Sequence, residues 1–196
     1  MNEAQFFKLF VYNVELKHSA HYTRLNTKGV YMSLYTLIVI FSFAGFLLHL
    51  LISRVPKTRA RTVELLLLYQ LVFSIGVLGV LSFFGHTFLP LVAAKYLRWL
   101  PSPFQQELAN ASLGFGVIGM MCIWYRGHFW TATVIGSSIW LFADAVDHIV
   151  DMFYNNNFST INTGIVFYSD LLTPVLLIVL LILNYRLKES VLPRHA

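Results

Sequence analysis

Long apolar runs are the feature that most constrains the fold of this chain. A helix needs about 20 apolar residues to cross a bilayer, and runs of this kind recur along the 196-residue sequence. In hydrocarbon, backbone polar groups must pair within the segment, so such runs fold as helices. The content of 57% hydrophobic and 12% charged residues agrees, because soluble domains carry about 25% charged residues. The sequence predicts an all-α, polytopic membrane protein in contact with the lipid bilayer.

Five transmembrane helices are predicted from these runs and from the polar or proline-containing segments between them. They cover residues 29–53, 62–84, 103–124, 129–153 and 164–183. Residues 3–16 have apolar side chains at helical spacing and predict a short interfacial helix. The chain therefore divides into an N-terminal interfacial segment, residues 1–28, a single five-helix domain, residues 29–184, and a basic tail, residues 185–196.

The distribution of Lys and Arg predicts the orientation of the bundle. The segment RVPKTRAR between the first two spans is rich in cations, whereas the loop YNNNFSTINTG between the last two has none. Cytoplasmic loops carry the excess of Lys and Arg, so the N-terminus is predicted outside and the C-terminus in the cytoplasm. The net charge of +5 is spread over the ends and loops. The basic residues flank the predicted membrane helices, and this distribution predicts no nucleic-acid partner.

The fourth span carries ionisable residues at membrane depth, namely Asp144, Asp147, His148 and Asp151. Such groups are costly in a membrane and by default indicate a functional site. Asp144, His148 and Asp151 stand at i, i+4 and i+7, which puts them on one helical face. Asp147 and Asp151 could instead face water at the outer end of the span.

Three other spans bring polar residues to a similar depth. His86 ends the second span at the outer face, and Glu107 lies in the first turns of the third. With the helical rise, Asp144 lies about 13 Å and Asp170 about 9 Å below that face. We therefore predict one polar layer in the outer half of the bundle, formed by His86, Glu107, His148, Asp170 and Asp144.

Histidine and carboxylate side chains from facing helices are typical ligands of a metal site in a helical bundle. Zn²⁺, Fe²⁺ and Mn²⁺ all accept such ligands, so the pattern predicts a divalent metal without specifying which one. Asn110, Asn162 and Asp151 are predicted to orient the ligands or to hold water. Haem is disfavoured, because carboxylates buried beside a haem iron would be unusual.

Two other classes of function remain open on the sequence. An ion- or proton-translocating transporter would use the same carboxylates as relays, although the middle of the spans is largely apolar. A non-catalytic accessory subunit, in a homo-oligomer or a larger membrane complex, would use the polar layer only to fix helix packing. The sequence contains no nucleophile–base arrangement, phosphate loop or dinucleotide fingerprint, so no enzymatic reaction is assigned.

Two further features of the spans bear on packing. Glu64 falls at the opposite end of the second span from His86, about 33 Å away along a straight helix. A carboxylate near a helix N-terminus is favoured by the helix dipole and can pair with neighbouring arginines. Six glycines are predicted to be close-packing positions between helices, namely Gly76, Gly79, Gly114, Gly116, Gly119 and Gly136.

Three segments, SPFQQELANASLGFGVIG, FWTATVIGSSIWLFADAVDHI and NTGIVFYSDLLTP, resemble a small prokaryotic integral-membrane family classed only as a domain of unknown function. The resemblance covers roughly residues 62–183. The family pattern corresponds here to Glu107, His86, His148, Asn162, Gly164 and Asp170, and it does not include Asp144. The resemblance implies a prokaryotic inner (plasma) membrane protein and assigns no reaction.

Overall fold

The computed structural model of the chain describes residues 27–54, 56–97, 102–159 and 162–189. Within these ranges the helices are α1 Thr27–Ile52, α2 Arg59–Phe88, α3 Pro90–Leu97, α4 Phe104–Met121, α5 His128–Tyr154 and α6 Ile165–Glu189. The described part of the chain contains no strand, which confirms the all-α class. The predicted interfacial helix at 3–16 and the last residues of the basic tail lie outside the described residues.

Three of the described helices are long and apolar enough to cross a membrane, namely α2, α5 and α6. α1 adds a shorter apolar stretch, Thr36–Ile52. The third predicted span forms α4, an 18-residue helix outside that group of three. Large apolar side chains such as Leu51, Ile139 and Phe153 are exposed on the outside of the helices. A surface of this kind indicates a helical membrane protein, because water-soluble monomers rarely expose large apolar patches.

α2 is the central helix of the bundle and packs against α1, α4 and α6. Its regular hydrogen bonding is interrupted by a π-helical segment, Leu71–Val77. Immediately before it, Gln70 donates to Ser42 Oγ of α1 at 2.9 Å and accepts from Ser74 Oγ at 2.9 Å. Side-chain hydrogen bonds between helices stabilise association within a membrane, where helix–helix contacts gain little from the hydrophobic effect.

The backbones of α2 and α4 touch at four of the predicted glycines, Gly76, Gly79, Gly116 and Gly119. A Cβ atom on Gly119 would lie 2.5 Å from Gly76 N and 2.8 Å from Leu71 O, and one on Gly79 would lie 2.7 Å from Ser112 O. The prediction is wrong for Gly114, because a Cβ atom there would meet nothing within 4 Å. Small residues thus allow this helix pair its close approach.

An apolar core fills the space between α2, α5 and α6, with Leu67, Leu71, Trp130, Val134 and Leu177 at its centre. The buried Trp130 indole N–H donates to Cys122 O at 2.9 Å, which satisfies the one polar group of that side chain. α5 and α6 are antiparallel neighbours joined by a short loop. The end of α5 and the beginning of α6 therefore meet on one side of the core, and their other ends meet on the opposite side.

Candidate functional site

A buried histidine–carboxylate pair lies where α5 and α6 meet. His148, in the last two turns of α5, is 3% exposed, and Asp170, in the second turn of α6, is 8% exposed. His148 Nε2 and Asp170 Oδ2 are 3.6 Å apart. Charge-assisted N–H···O hydrogen bonds are about 2.7–2.9 Å long. The two groups therefore face each other across a gap that is wider than a strong hydrogen bond.

Asn162, in the loop between α5 and α6, fixes the tautomer of His148. Its amide nitrogen donates to Asn157 O at 2.9 Å and to His148 O at 3.3 Å. Its amide oxygen is therefore the atom that lies 2.6 Å from His148 Nδ1. An amide oxygen only accepts hydrogen bonds, so Nδ1 carries a proton. When the imidazole is neutral, Nε2 therefore has no proton, and its lone pair is directed at Asp170.

Asp151 organises the same loop, one turn beyond His148. Its carboxylate accepts from Asn155 Nδ2 at 2.7 Å and from Asn157 Nδ2 at 2.5 Å. Asp151 is only 8% exposed, so the alternative that it faces water is wrong, because loop amides cover it. Asp147 is exposed. That Asp151 orients the ligands or holds water stays a prediction.

Asp144 is half-buried one turn before His148 on α5. The Trp140 indole, one turn earlier on the same helix, lies near its carboxylate. The Asp144 carboxylate also interacts electrostatically with Asp170 on α6 and with Asp147 on its own helix, α5. Two like charges in a partly desolvated environment repel each other, which disfavours a state in which both carboxylates are ionised without a compensating charge.

From the predicted set, the structure pairs His148 with Asp170 and places Asn162 against His148, while Asp144 lies one turn before His148 on α5 and Asp151 about one turn after it. The other two predicted ligands, His86 and Glu107, are carried by α2 and α4. His86 Nδ1 lies 3.3 Å from Gln105 Nε2, whereas Glu107 is exposed. Asn110, also exposed, accepts from Gln106 Nε2 at 3.1 Å. Within the described ranges, no group of three or more His, Cys, Asp or Glu side chains is arranged to hold a metal ion.

Sequence reasoning missed two amides that shape this end of the bundle. Gln105 donates to Pro90 O at 2.8 Å and so links the start of α4 to α3, beside His86. In the sequence it stands out only as a residue of the SPFQ helix start. Asn157 is 7% exposed and binds Asp151. The signal that could have found it is the dense asparagine and serine content of the loop, which is typical of side chains that bond to loop backbone.

Comparison with known proteins gives one result. A family model described as a family of unknown function (DUF6790) matches residues 32–190. This match includes the region of the resemblance and extends it to most of α1 and to the end of α6. No curated protein and no solved structure matches the chain.

Proposed function

Because the chain belongs to this family of unknown function (DUF6790), we propose a function from the geometry of the site: the buried layer around His148 binds a divalent metal ion. His148 Nε2 and an Asp170 carboxylate oxygen are the first two ligands. Asp144, whose charge acts on Asp170, supplies a third after a change of side-chain rotamer. Water completes the coordination.

The observation that carries this proposal is the orientation of His148. Asn162 oxygen holds the Nδ1–H at 2.6 Å, which leaves Nε2 directed at Asp170 Oδ2, 3.6 Å away. Metal-binding histidines almost always donate their other ring N–H to an oxygen acceptor in this way. Two ligands at usual nitrogen and oxygen distances from a tetrahedral ion are about 3.4 Å apart. The observed gap is close to that separation.

The charge of the layer supports the same conclusion. Asp144 and Asp170 bring two carboxylates to a region that is largely removed from water, and no Lys or Arg side chain of the described residues forms an ion pair with either. A buried carboxylate pair is stable when a cation compensates it. His148 supplies one positive charge only if it is protonated. A divalent ion compensates both carboxylates and leaves the imidazole neutral.

The test is a measurement of bound metal. The purified full-length chain is loaded separately with Zn²⁺, Fe²⁺ and Mn²⁺, desalted, and analysed for metal content. We expect about one ion per chain for the preferred metal. We expect His148→Gln and Asp170→Asn each to weaken metal affinity by at least 10–100-fold, about the loss caused by removing even an outer partner of a ligand. A saturating metal should also raise the unfolding midpoint of the wild-type chain.

The matched control is Asp147→Asn, which removes one carboxylate from the same helix at an exposed position. It is expected to leave metal content and the metal-induced stabilisation unchanged. Substoichiometric metal that responds to neither His148→Gln nor Asp170→Asn would refute the proposal. The polar layer would then act only in helix packing, as in an accessory subunit.

A proton-binding layer is the second candidate, favoured by the 3.6 Å His148–Asp170 gap and by the repulsion between Asp144 and Asp170. Three acid–base groups this close together can hold and exchange protons. Proton flux into liposomes that is lost in Asp170→Asn would support translocation. The apolar core formed by Leu71, Trp130 and Leu177 counts against it, because it separates this layer from the opposite face.

For the placement of the chain, we propose the inner membrane of a prokaryote, with the N-terminus outside and the C-terminus in the cytoplasm. Three cations from different elements, Arg61, Arg126 and Lys188, meet at the end of the bundle opposite His148. Cytoplasmic ends of membrane proteins are enriched in such residues. A reporter fused after residue 189 should be active only if it is a cytoplasmic reporter; activity of a periplasmic reporter there would reverse the orientation.

A further inference from the structure

Three cations surround a single carboxylate at the end of the bundle opposite His148. Glu64 near the start of α2 lies 3.4 Å from Arg61, 3.2 Å from Arg126 in the α4–α5 loop and 3.2 Å from Lys188 in the last turn of α6. The three cations are separated by up to 127 positions in the sequence. We refer to Arg61, Glu64, Arg126 and Lys188 as the Glu64 cluster.

The Glu64 cluster has more positive charge than its own carboxylate can neutralise. One carboxylate against three cations leaves an excess of two positive charges. The contacts of 3.2–3.4 Å are longer than the ~2.8 Å of tight charge-assisted bonds. The side chains of Arg61, Arg126 and Lys188 are 35%, 41% and 49% exposed, whereas that of Glu64 is 16% exposed. The Glu64 carboxylate is therefore the buried group of the cluster, and the three cations are its exposed groups.

Arg126 is held in place before any ligand arrives. Its guanidinium lies over the Trp130 ring, 5.1 Å from the ring centroid. Trp130 itself is 1% exposed and is anchored by its hydrogen bond to Cys122 O. A guanidinium fixed on an aromatic face loses little conformational entropy when it binds an anion, and its planar set of N–H groups matches phosphate geometry.

The cluster lies at the level expected for lipid headgroups. α2 begins and α6 ends there, and both helices are long and apolar enough to cross a membrane. Trp124 and Tyr125, directly before Arg126, are 70% and 55% exposed. Exposed Trp and Tyr residues mark the membrane–water interface in helical membrane proteins. On α6, the apolar residues Ile182 and Leu183, six and five positions before Lys188, are exposed.

We propose that the Glu64 cluster binds the phosphate headgroup of an anionic phospholipid. Arg61, Arg126 and Lys188 contact the phosphate oxygens, and Glu64 keeps the three cations together when no lipid is bound. The acyl chains lie along the exposed apolar surface of α6. Clusters of cations between membrane helices at the cytoplasmic side are suited to such headgroups. This site is separate from the His148 layer, so it does not rest on the proposed metal binding.

The test compares lipid retention by the full-length chain. Purified protein in neutral detergent micelles is titrated with phosphatidylglycerol or with phosphatidylcholine, and bound lipid is counted by native mass spectrometry. The wild-type chain should retain phosphatidylglycerol in preference to phosphatidylcholine. A Lys or Arg side chain that contacts an anionic headgroup contributes about a five-fold factor to its affinity. Lys188→Gln should therefore weaken phosphatidylglycerol binding about five-fold, and Arg126→Gln combined with Lys188→Gln about 25-fold.

Arg186→Gln is the matched control, since it removes one positive charge from the same helical turn, at an exposed position outside the cluster. It should leave retention unchanged. Equal loss in Arg186→Gln and Lys188→Gln would overturn the proposal, as would equal retention of the two lipids by the wild-type chain. Complete displacement of the lipid by equimolar inorganic phosphate would indicate a site for free anions and would also overturn it. If the double variant unfolds, the single Lys188→Gln result decides.

Discussion

Replacing Gly119 with alanine is expected to destabilise the bundle by about 1–3 kcal/mol, the usual cost of overpacking a well-packed core. The new Cβ atom would lie 2.5 Å from Gly76 N and 2.8 Å from Leu71 O. Both atoms belong to the backbone of α2, so neither can move away as a flexible side chain would. The two helices must separate, and the contacts between α2 and α4 weaken along their length. Gly119→Leu should prevent their close packing altogether.

The measurement is the free energy of unfolding of the purified chain in detergent micelles, from denaturant titration of each variant. Gly114→Ala is the matched control, because Gly114 lies on the same helix and a Cβ atom there meets nothing within 4 Å. It is expected to stabilise the chain by about 0.5–1 kcal/mol, since alanine is the better helix former. If Gly119→Ala and Gly114→Ala have the same effect, the backbone contact between α2 and α4 is not what the glycines provide.

Replacing Asn162 with alanine is expected to lower the free energy of unfolding by about 3 kcal/mol, at roughly 1 kcal/mol for each side-chain hydrogen bond removed. The bonds are those to His148 Nδ1, His148 O and Asn157 O. Asn162 is fully buried, so the change also leaves a cavity. The imidazole of His148 loses its fixed tautomer, and any metal affinity should fall about 10–100-fold, as for other residues that orient a ligand.

Unfolding and metal titrations of the same preparations test both effects. Asn110→Ala serves as the control, because Asn110 is exposed and its hydrogen bond to Gln106 lies at the surface. Its effect should stay within about 0.5 kcal/mol, with unchanged metal affinity. Stability of Asn162→Ala equal to that of Asn110→Ala would show that the loop amide does not support the site. Lost stability with intact metal affinity would assign Asn162 to packing alone.

Much of the fold could be predicted from sequence, because each membrane helix satisfies its own backbone hydrogen bonds. The predicted span 129–153 differs from α5, His128–Tyr154, by one residue at each end. The prediction for the fifth span stopped earlier than α6 does, since α6 continues past the apolar run to Glu189. The π-helical segment Leu71–Val77 had no signal in the sequence.

The candidate site was predicted less completely than the fold, because the sequence indicates how deep a side chain lies but not which way it points. Counting residues along a helix estimates the height of a side chain in the membrane, and that estimate placed His148 and Asp170, which lie 3.6 Å apart, in one layer. It gives no information on the direction in which the side chain points around the bundle. His86 and Glu107 were predicted at the same height, but they belong to α2 and α4, where His86 contacts Gln105 and Glu107 is exposed.

The sequence by itself therefore determined the helical class and the apolar spans. Each of these follows from composition and from the fixed rise of a helix, which are local properties. Only the tertiary structure decided which polar groups meet. Helix rotation and loop conformation place Asn162 against His148 and bring Lys188 to Glu64 across 124 positions. Such pairings depend on contacts between distant segments, and the helical periodicity of one segment does not determine them.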